Sequence, residues 1–397
     1  MSVKIEVADR VKRLPKSYIF AEVAKRKRAA ANAGLDIIDF GIGDPDFGAP
    51  PAVVAAITKN LQDKANHRYP DTEGTREYRE AWAILYERDF GVKLDPEKQV
   101  HHLIGGKEGI GNFPNAFVNP GDIVICPDPA YPVYDEGTIL AEGEPYYLPL
   151  RAENNFIADF REIPEEIARR AKIFWSNYPN NPTGATADLD YFTNLARWAQ
   201  RWGVIVCSDA TYSHINSFGN PTPSFLRAPG AMEVGVEFHS VSKTLSFTGA
   251  RCGVVVGNEE IIAGLHRIKS TLDSGGSGFV QLGVAAHLLG CSDYVTEINS
   301  IYTERRVAFQ KVLADLGFGS FDSNATFYVW DKNPAGWSSE ELAYGLIEQT
   351  GVVLIPGNGL GRTQGEGYIR GSVACAGLES IEKAGTRIKK FLAKRRK

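Results

Sequence analysis

The chain has 397 residues, 43% hydrophobic and 23% charged, with 40 glycines, 21 prolines and a formal net charge of −4. This is the composition of a soluble globular protein long enough for one large core and a second, smaller one. The weak acidity gives no reason to expect nucleic acid or an anionic membrane as partner, and no apolar run approaches membrane-spanning length.

The five cysteines, Cys126, Cys207, Cys252, Cys291 and Cys375, are scattered and lack CxxC spacing. Cys126 and Cys207 lie inside apolar strand-like runs, where a free thiol packs as a small hydrophobe. A reducing cytoplasm is therefore expected, without a disulfide framework. The seven histidines show no metal-ligand spacing, so no metal is expected. The N-terminus lacks the basic, apolar, small-residue order of a signal peptide.

In chain order, LPKSYIF (14–20) precedes a stretch rich in Ala, Lys and Arg that predicts a helix over 21–33, closed by Gly34. A short strand over 37–40 runs into GIGDPD (41–46), where two glycines and an Asp-Pro break leave backbone N–H groups open to a ligand. Helices are predicted over 50–65 and 75–90, the second capped by Thr75, with HRYPDTEG (67–74) between them. A strand over 100–104 runs into Gly105, Gly106 and Lys107, and a glycine turn opening a helix makes an anion site. The strand over 122–126 ends in PDPAYP (127–132), whose three prolines present Tyr131 rigidly. A strand over 173–175 runs into SNYPNNPTG (176–184), a helix covers 189–202, and a strand over 204–207 leads to SDATY (208–212).

Alternating apolar strands and amphipathic helices from about 50 to 285 predict a mainly parallel, doubly wound α/β sheet with helices on both faces. After 286 the pattern changes to helices over 292–316, 339–350 and 378–394 and strands over 327–330, 352–355 and 368–373. The expected organisation is a large domain over 49–285, a smaller α+β domain over 286–397, and an N-terminal segment, 1–48, joining the small domain.

The focal stretch is HSVSKTLSFTGARCG (239–253), one lysine among small hydroxyl residues with an arginine eight positions on. Lysine forms Schiff bases with carbonyl compounds once its surroundings free it of a proton. In open α/β sheets ligands bind beyond the carboxyl ends of the strands, so Gly106, Lys107, Tyr131, Asn181, Asp209, Tyr212 and Lys243 can converge on one crevice. That set suits an aldehyde cofactor with a pyridine ring and a phosphate. Lys243 would hold the aldehyde and then serve as general base, and Asp209 would keep the ring nitrogen protonated. Asn181 and Tyr212 would donate to the ring hydroxyl, and Tyr131 would stack on the ring. Gly106, Lys107, Ser240, Ser242 and Arg251 would take the phosphate.

The ordered motifs YPNNPTG, SDATY, SVSK with Arg251, and YIRGSVA closely resemble those of fold-type I pyridoxal-phosphate aminotransferases, and they span essentially the whole chain. The opening PKSYIFAEVAKRK, GIGDPD, PSFLRAPGAMEVGVEFHSVSKT and PGNGLG are more narrowly similar to LL-diaminopimelate aminotransferases of lysine biosynthesis. The resemblance implies pyridoxal 5'-phosphate as cofactor and 2-oxoglutarate as amino acceptor. It implies that Arg370 pairs with the substrate α-carboxylate, with Asn181 beside it, and that Gly43 and Tyr18 line the substrate pocket. It also implies a homodimer in which Tyr69 reaches the cofactor phosphate of the other subunit. Three positions depart from the family pattern: Gly106 where relatives carry a serine, His214 where an acidic residue is usual, and Ala250 where the side chain is usually bulky. They leave open an aminotransferase of different amino-acid specificity. A lyase or oxidase on the same scaffold is the alternative reaction class, and a ligand-sensing regulator the non-enzymatic one.

Overall fold

The computed structural model describes residues 4–15 and 19–394, so Tyr18 lies outside the described residues. Twelve strands are numbered here in chain order: β1 (Ile38–Asp39), β2 (Val100–Leu103), β3 (Ile123–Asp128), β4 (Glu144–Pro149), β5 (Ala171–Asn177), β6 (Ile205–Asp209), β7 (Gly235–Ser240), β8 (Gly253–Gly257), β9 (Tyr328–Lys332), β10 (Val352–Val353), β11 (Ile355–Pro356) and β12 (Tyr368–Ser372).

Seven of them form one sheet in the order β2-β8-β7-β6-β5-β3-β4. Its pairings are parallel from β7 through β6, β5 and β3 to β4, and antiparallel on both sides of β8. The reversal has a simple cause. β7 and β8 are joined by residues 241–252 alone, and a strand returning after so short a link pairs antiparallel rather than by crossover. The carboxyl end of β7 and the start of β8 therefore share one edge, which puts Lys243 and Arg251 beside each other in space. The central strands are buried along their length, as expected of a sheet covered on both faces.

A second sheet, β11-β12-β9, is antiparallel, and β1 pairs parallel with β10 through Ile38 to Val352 and Asp39 to Val353. The single strand expected over 352–355 is thus two strands in two sheets, with Leu354 the step between them. The helices Ser292–Asp315, Ser339–Thr350 and Leu378–Lys394 form where expected. Thr75 caps the helix Arg76–Phe90, its side chain accepting from the Tyr78 amide at 3.3 Å. In the predicted helix rich in Ala, Lys and Arg, Arg26 pairs with Glu22 and Glu348, and its guanidinium carbon lies 3.9 Å from the Tyr344 ring centre. Among the described residues no helix is long and apolar enough to cross a membrane, and no cluster of three or more His, Cys, Asp or Glu is placed to hold a metal ion.

One core residue is out of keeping with its surroundings. Asp331 on β9 is buried, and neither carboxyl oxygen has a well-formed hydrogen bond among the described residues. Burial pushes its carboxyl up to about 7, with the Phe321 backbone opposing only weakly. A folded-state value above the unfolded one means that the fold favours the protonated acid. The associated stability is complete below about pH 4, declines as the pH rises towards 7 and is lost above it. Asp331→Asn should therefore melt several degrees higher than the parent at pH 8, a gain of roughly 2–4 kcal/mol that vanishes near pH 4. Thermal melts of both proteins across that range test it.

Candidate active site

The unusual loops all leave the same edge of the large sheet. β2 ends at Leu103 and turns through Gly105 (φ +83°) into the short helix Gly106–Asn112. A side chain at Gly105 would strike Arg251, whose Nη2 lies 2.5 Å from where a Cβ would sit. Arg251 is itself left-handed (φ +47°), a conformation that costs a non-glycine residue energy and marks a position held by its surroundings. Its Nη1 donates to the Thr248 carbonyl at 2.8 Å. Ser240 closes β7 and caps the turn Val241–Thr244, accepting from the Ser242 amide. Arginine, two serines and the glycine turn at 105–106 thus gather donors of the kind that suit an anion such as phosphate.

Beside the cradle stand the polar groups of β5 and β6. Asp209 closes β6, its Oδ2 accepting from the Tyr134 hydroxyl at 2.7 Å and its Oδ1 from the Thr211 amide at 3.2 Å. Burial raises its carboxyl above the ordinary range. Asn177 at the end of β5 donates to the Asp209 carbonyl at 2.8 Å and accepts from the Asn181 amide at 2.8 Å, tying the two strand-end loops together. The Tyr212 hydroxyl meets the Tyr328 hydroxyl at 3.0 Å.

Lys243 reaches into this pocket from the turn after β7. Its stem is part exposed, but its amine is deep enough for desolvation to dominate, with Arg370 and Arg251 adding repulsion and Asp44 opposing. Together these bring it down to about 8. The amine donates to the Gly43 carbonyl at 2.6 Å. Gly43 has no room for a side chain, since its Cβ would lie 2.0 Å from the Tyr328 hydroxyl. Arg370 comes from β12 in the other sheet. It donates to the Gly41 carbonyl at 2.7 Å and to Asn181 Oδ1 at 3.2 Å, and its Nε is buried without a partner among the described residues. Its guanidinium lies 4.5 Å from the Tyr328 ring centre and 5.1 Å from that of Phe20.

A cavity of about 310 Å³ collects these groups, a size suited to a small ring compound and its substrate. Gly43, Gly106, Lys107, Tyr131, Asn181, Asp209, Tyr212, Ser240, Ser242, Lys243, Arg251 and Arg370 all line it. Tyr69 does not, and is 90% exposed. Sequence reasoning missed Phe20, Ile110, Thr211, Thr248 and Tyr328, which also line it. Of these, Phe20, Thr211 and Thr248 sit inside motifs already singled out. The residues present fit pyridoxal phosphate: an amine of depressed basicity, a buried carboxylate and a cationic phosphate cradle face one space.

Of the three departures, His214 and Ala250 do not line this cavity. His214 turns the other way, its Nε2 2.9 Å from Asp89 Oδ2. Gly106 does line it, and a Cβ there would meet only Thr211 Oγ1 at 3.7 Å, Ser240 Cβ at 3.8 Å and the His239 carbonyl at 3.9 Å, all ordinary contacts. Gly106→Ser should fold unchanged and add one hydroxyl to the cradle. The expected result is cofactor affinity raised about tenfold to a hundredfold, the contribution of one hydrogen bond to a charged group, measured by fluorescence titration of cofactor-free protein.

This lysine, aspartate and phosphate cradle, at the carboxyl edge of a mainly parallel sheet, define a fold-type I pyridoxal-phosphate enzyme. The chain belongs to aminotransferase class I and II, whose family model matches residues 35–388. It is accordingly a pyridoxal-phosphate-dependent transaminase. It is 47% identical to the LL-diaminopimelate aminotransferase of Aquifex aeolicus, over 97% of this chain and 98% of that protein. It is 44% identical to that of Moorella thermoacetica, over 98% and 99%. Among solved structures it is similar to substrate-bound BacF from Bacillus subtilis, with TM-score 0.93, 32% identity and 98% of each chain covered. It is also similar to a probable N-succinyldiaminopimelate aminotransferase from Thermus thermophilus, with TM-score 0.89, 33% identity and 94% and 100% covered.

Proposed function

We propose that this transaminase takes the amino group of LL-diaminopimelate, or of a closely related amino acid, and delivers it to 2-oxoglutarate in the course of lysine biosynthesis. The observation that carries the reading is the cavity itself. Lys243 and Arg370 both line it, and the relatives' printed activity supplies the donor for this reading. When bound, pyridoxal phosphate supplies an aldehyde to hold the amine and a ring that accepts the electron pair left at the substrate Cα.

The remaining work falls to side chains. Arg370, which lines the cavity, holds the α-carboxylate and so aims the Cα hydrogen. Lys243 Nζ takes the Cα proton and returns it; an amine held near 8 is partly unprotonated at neutral pH, as a base must be. Asp209 supplies fixed negative charge at the ring nitrogen, and Asn181 and Tyr212 donate at the ring oxygen. Tyr131 packs on the ring, while Gly106, Lys107, Ser240, Ser242 and Arg251 hold the phosphate. We further propose a cytoplasmic homodimer in which the exposed Tyr69 ring completes the phosphate site of the other subunit. The large domain over 49–285 would carry the cofactor, and residues 1–48 and 286–397 would form a smaller domain bearing Arg370.

Feeding LL-diaminopimelate with 2-oxoglutarate tests the donor and the acceptor together. The reading requires glutamate to appear as the donor disappears, one for one. Turnover with aromatic amino acids or aspartate, but none with LL-diaminopimelate, would discard the donor and keep the transaminase.

A further inference from the structure

Tyr328 has no role in the account so far, yet it touches three of the groups that do. It lies on β9, 116 residues from Tyr212 in sequence, and both rings belong to the apolar cluster beneath the second sheet. The two hydroxyls are 3.0 Å apart, and among the described residues each is the other's hydrogen-bond partner. Its ring faces the Arg370 guanidinium, and its hydroxyl fills the space that a side chain at Gly43 would need.

A phenol has one proton to give and lone pairs to receive. Burial pushes the Tyr212 phenol well above the ordinary tyrosine range, so it keeps that proton at any working pH. If Tyr212 donates to the cofactor's ring oxygen, its bond to Tyr328 must run the other way. Tyr328 then gives its proton to Tyr212 Oη. A donor that is itself hydrogen-bonded in this sense is polarised and donates more strongly.

We propose that Tyr328 is a positioning residue of the amino-transfer site. Its hydroxyl orients the Tyr212 proton towards the cofactor's ring oxygen, and its ring holds Arg370 at the substrate carboxylate. The two functions are separable within one side chain. The hydroxyl acts on the cofactor, and the ring face acts on the substrate. One residue of the second sheet thereby fixes the relative placement of a cofactor-facing group from the first sheet and a substrate-facing group from its own. The inference rests on the proposed role of Tyr212 and Arg370, and its failure is distinguishable from theirs.

The test compares Tyr328→Phe and Tyr328→Leu in the cofactor-loaded enzyme by two readouts. The first is the pH midpoint of the cofactor's visible absorption band, and the second is KM for the amino donor. Tyr328→Phe removes the hydroxyl and keeps the ring. The expected result is a midpoint raised by about 0.5–1 pH unit, because the negative ring oxygen loses stabilisation, with KM unchanged within about twofold. Tyr328→Leu removes both functions and should raise the midpoint equally while raising KM about tenfold or more. In a Tyr212→Phe background, Tyr328→Phe should leave the midpoint where it is, since no proton remains to orient. A Tyr328→Phe protein with the parent midpoint would overturn the inference, leaving Tyr328 a packing residue. A shift that persists at full size in the Tyr212→Phe background would overturn it too. A parent protein with no cofactor band would overturn the site reading, and this inference with it.

Discussion

Lys243→Ala is expected to lower kcat for amino transfer by about 10⁴-fold or more while leaving the fold intact. Two losses combine. The covalent anchor for the aldehyde disappears, and so does the base that moves the Cα proton, itself worth about 10²–10⁴-fold. Among the described residues that line the cavity, the other lysine is Lys107, on an exposed position one residue into the helix Gly106–Asn112 and assigned to the phosphate in the proposed reading. The guanidinium groups of Arg251 and Arg370 have donors only and cannot act as bases. The variant should bind the cofactor without the parent's visible band, and single-turnover kinetics with the amino donor would show the defect in proton transfer. Retention of more than about 1% of parent kcat would remove Lys243 from its role.

Asp209→Asn is expected to cost about 10³-fold in kcat with little change in melting temperature. The substitution keeps the shape and removes the charge. A cationic ring nitrogen would restore the ionised carboxylate that burial alone disfavours, and breaking a buried ion pair costs on the order of 3–5 kcal/mol. The two groups already aimed at this carboxylate, the Tyr134 hydroxyl and the Thr211 amide, are both donors. An Asn side chain can keep both contacts, its Oδ1 accepting from the Thr211 amide and its Nδ2 donating to the Tyr134 hydroxyl, so what is lost is the charge. The measurement is kcat together with the cofactor's absorption in the presence of the amino donor. Parent-like turnover by Asp209→Asn would show that the ring nitrogen needs no charge there.

Most residues legible in the sequence lie in a loop whose local chemistry is unusual at the end of a predicted strand; Arg370, inside β12, was legible only through the YIRGSVA motif. Tyr131 among three prolines, Asn181 in NYPNNPTG and Lys243 among hydroxyls all stand out that way, and all line the cavity. Tyr328 does not stand out, and Phe20, though inside the quoted LPKSYIF stretch, carries no polar group to mark it. Tyr328 sits in an apolar strand where nothing local says which face meets the cavity, and its neighbour Tyr212 is brought to it only by tertiary packing. The strand Glu144–Pro149 escaped reading because of Pro145 and Pro149, which break a ladder in mid-sheet but are tolerated here because β4 is an edge. Residues 352–355 looked like one strand because composition does not record a change of sheet at Leu354. The glycine-rich run at 274–278 has a tertiary cause as well: a Cβ at Gly276 would lie 2.4 Å from the His102 ring, and one at Gly275 would lie 2.9 Å from the Asp71 carbonyl.

The most direct test of the central claim is to reduce the cofactor-loaded protein with borohydride and map the modified peptide by mass spectrometry. The account predicts a single added phosphopyridoxyl mass, on the peptide carrying Lys243, and loss of that modification when the amino donor is added before reduction. A label on Lys107 or another lysine, or no label at all in protein saturated with pyridoxal phosphate, would contradict it.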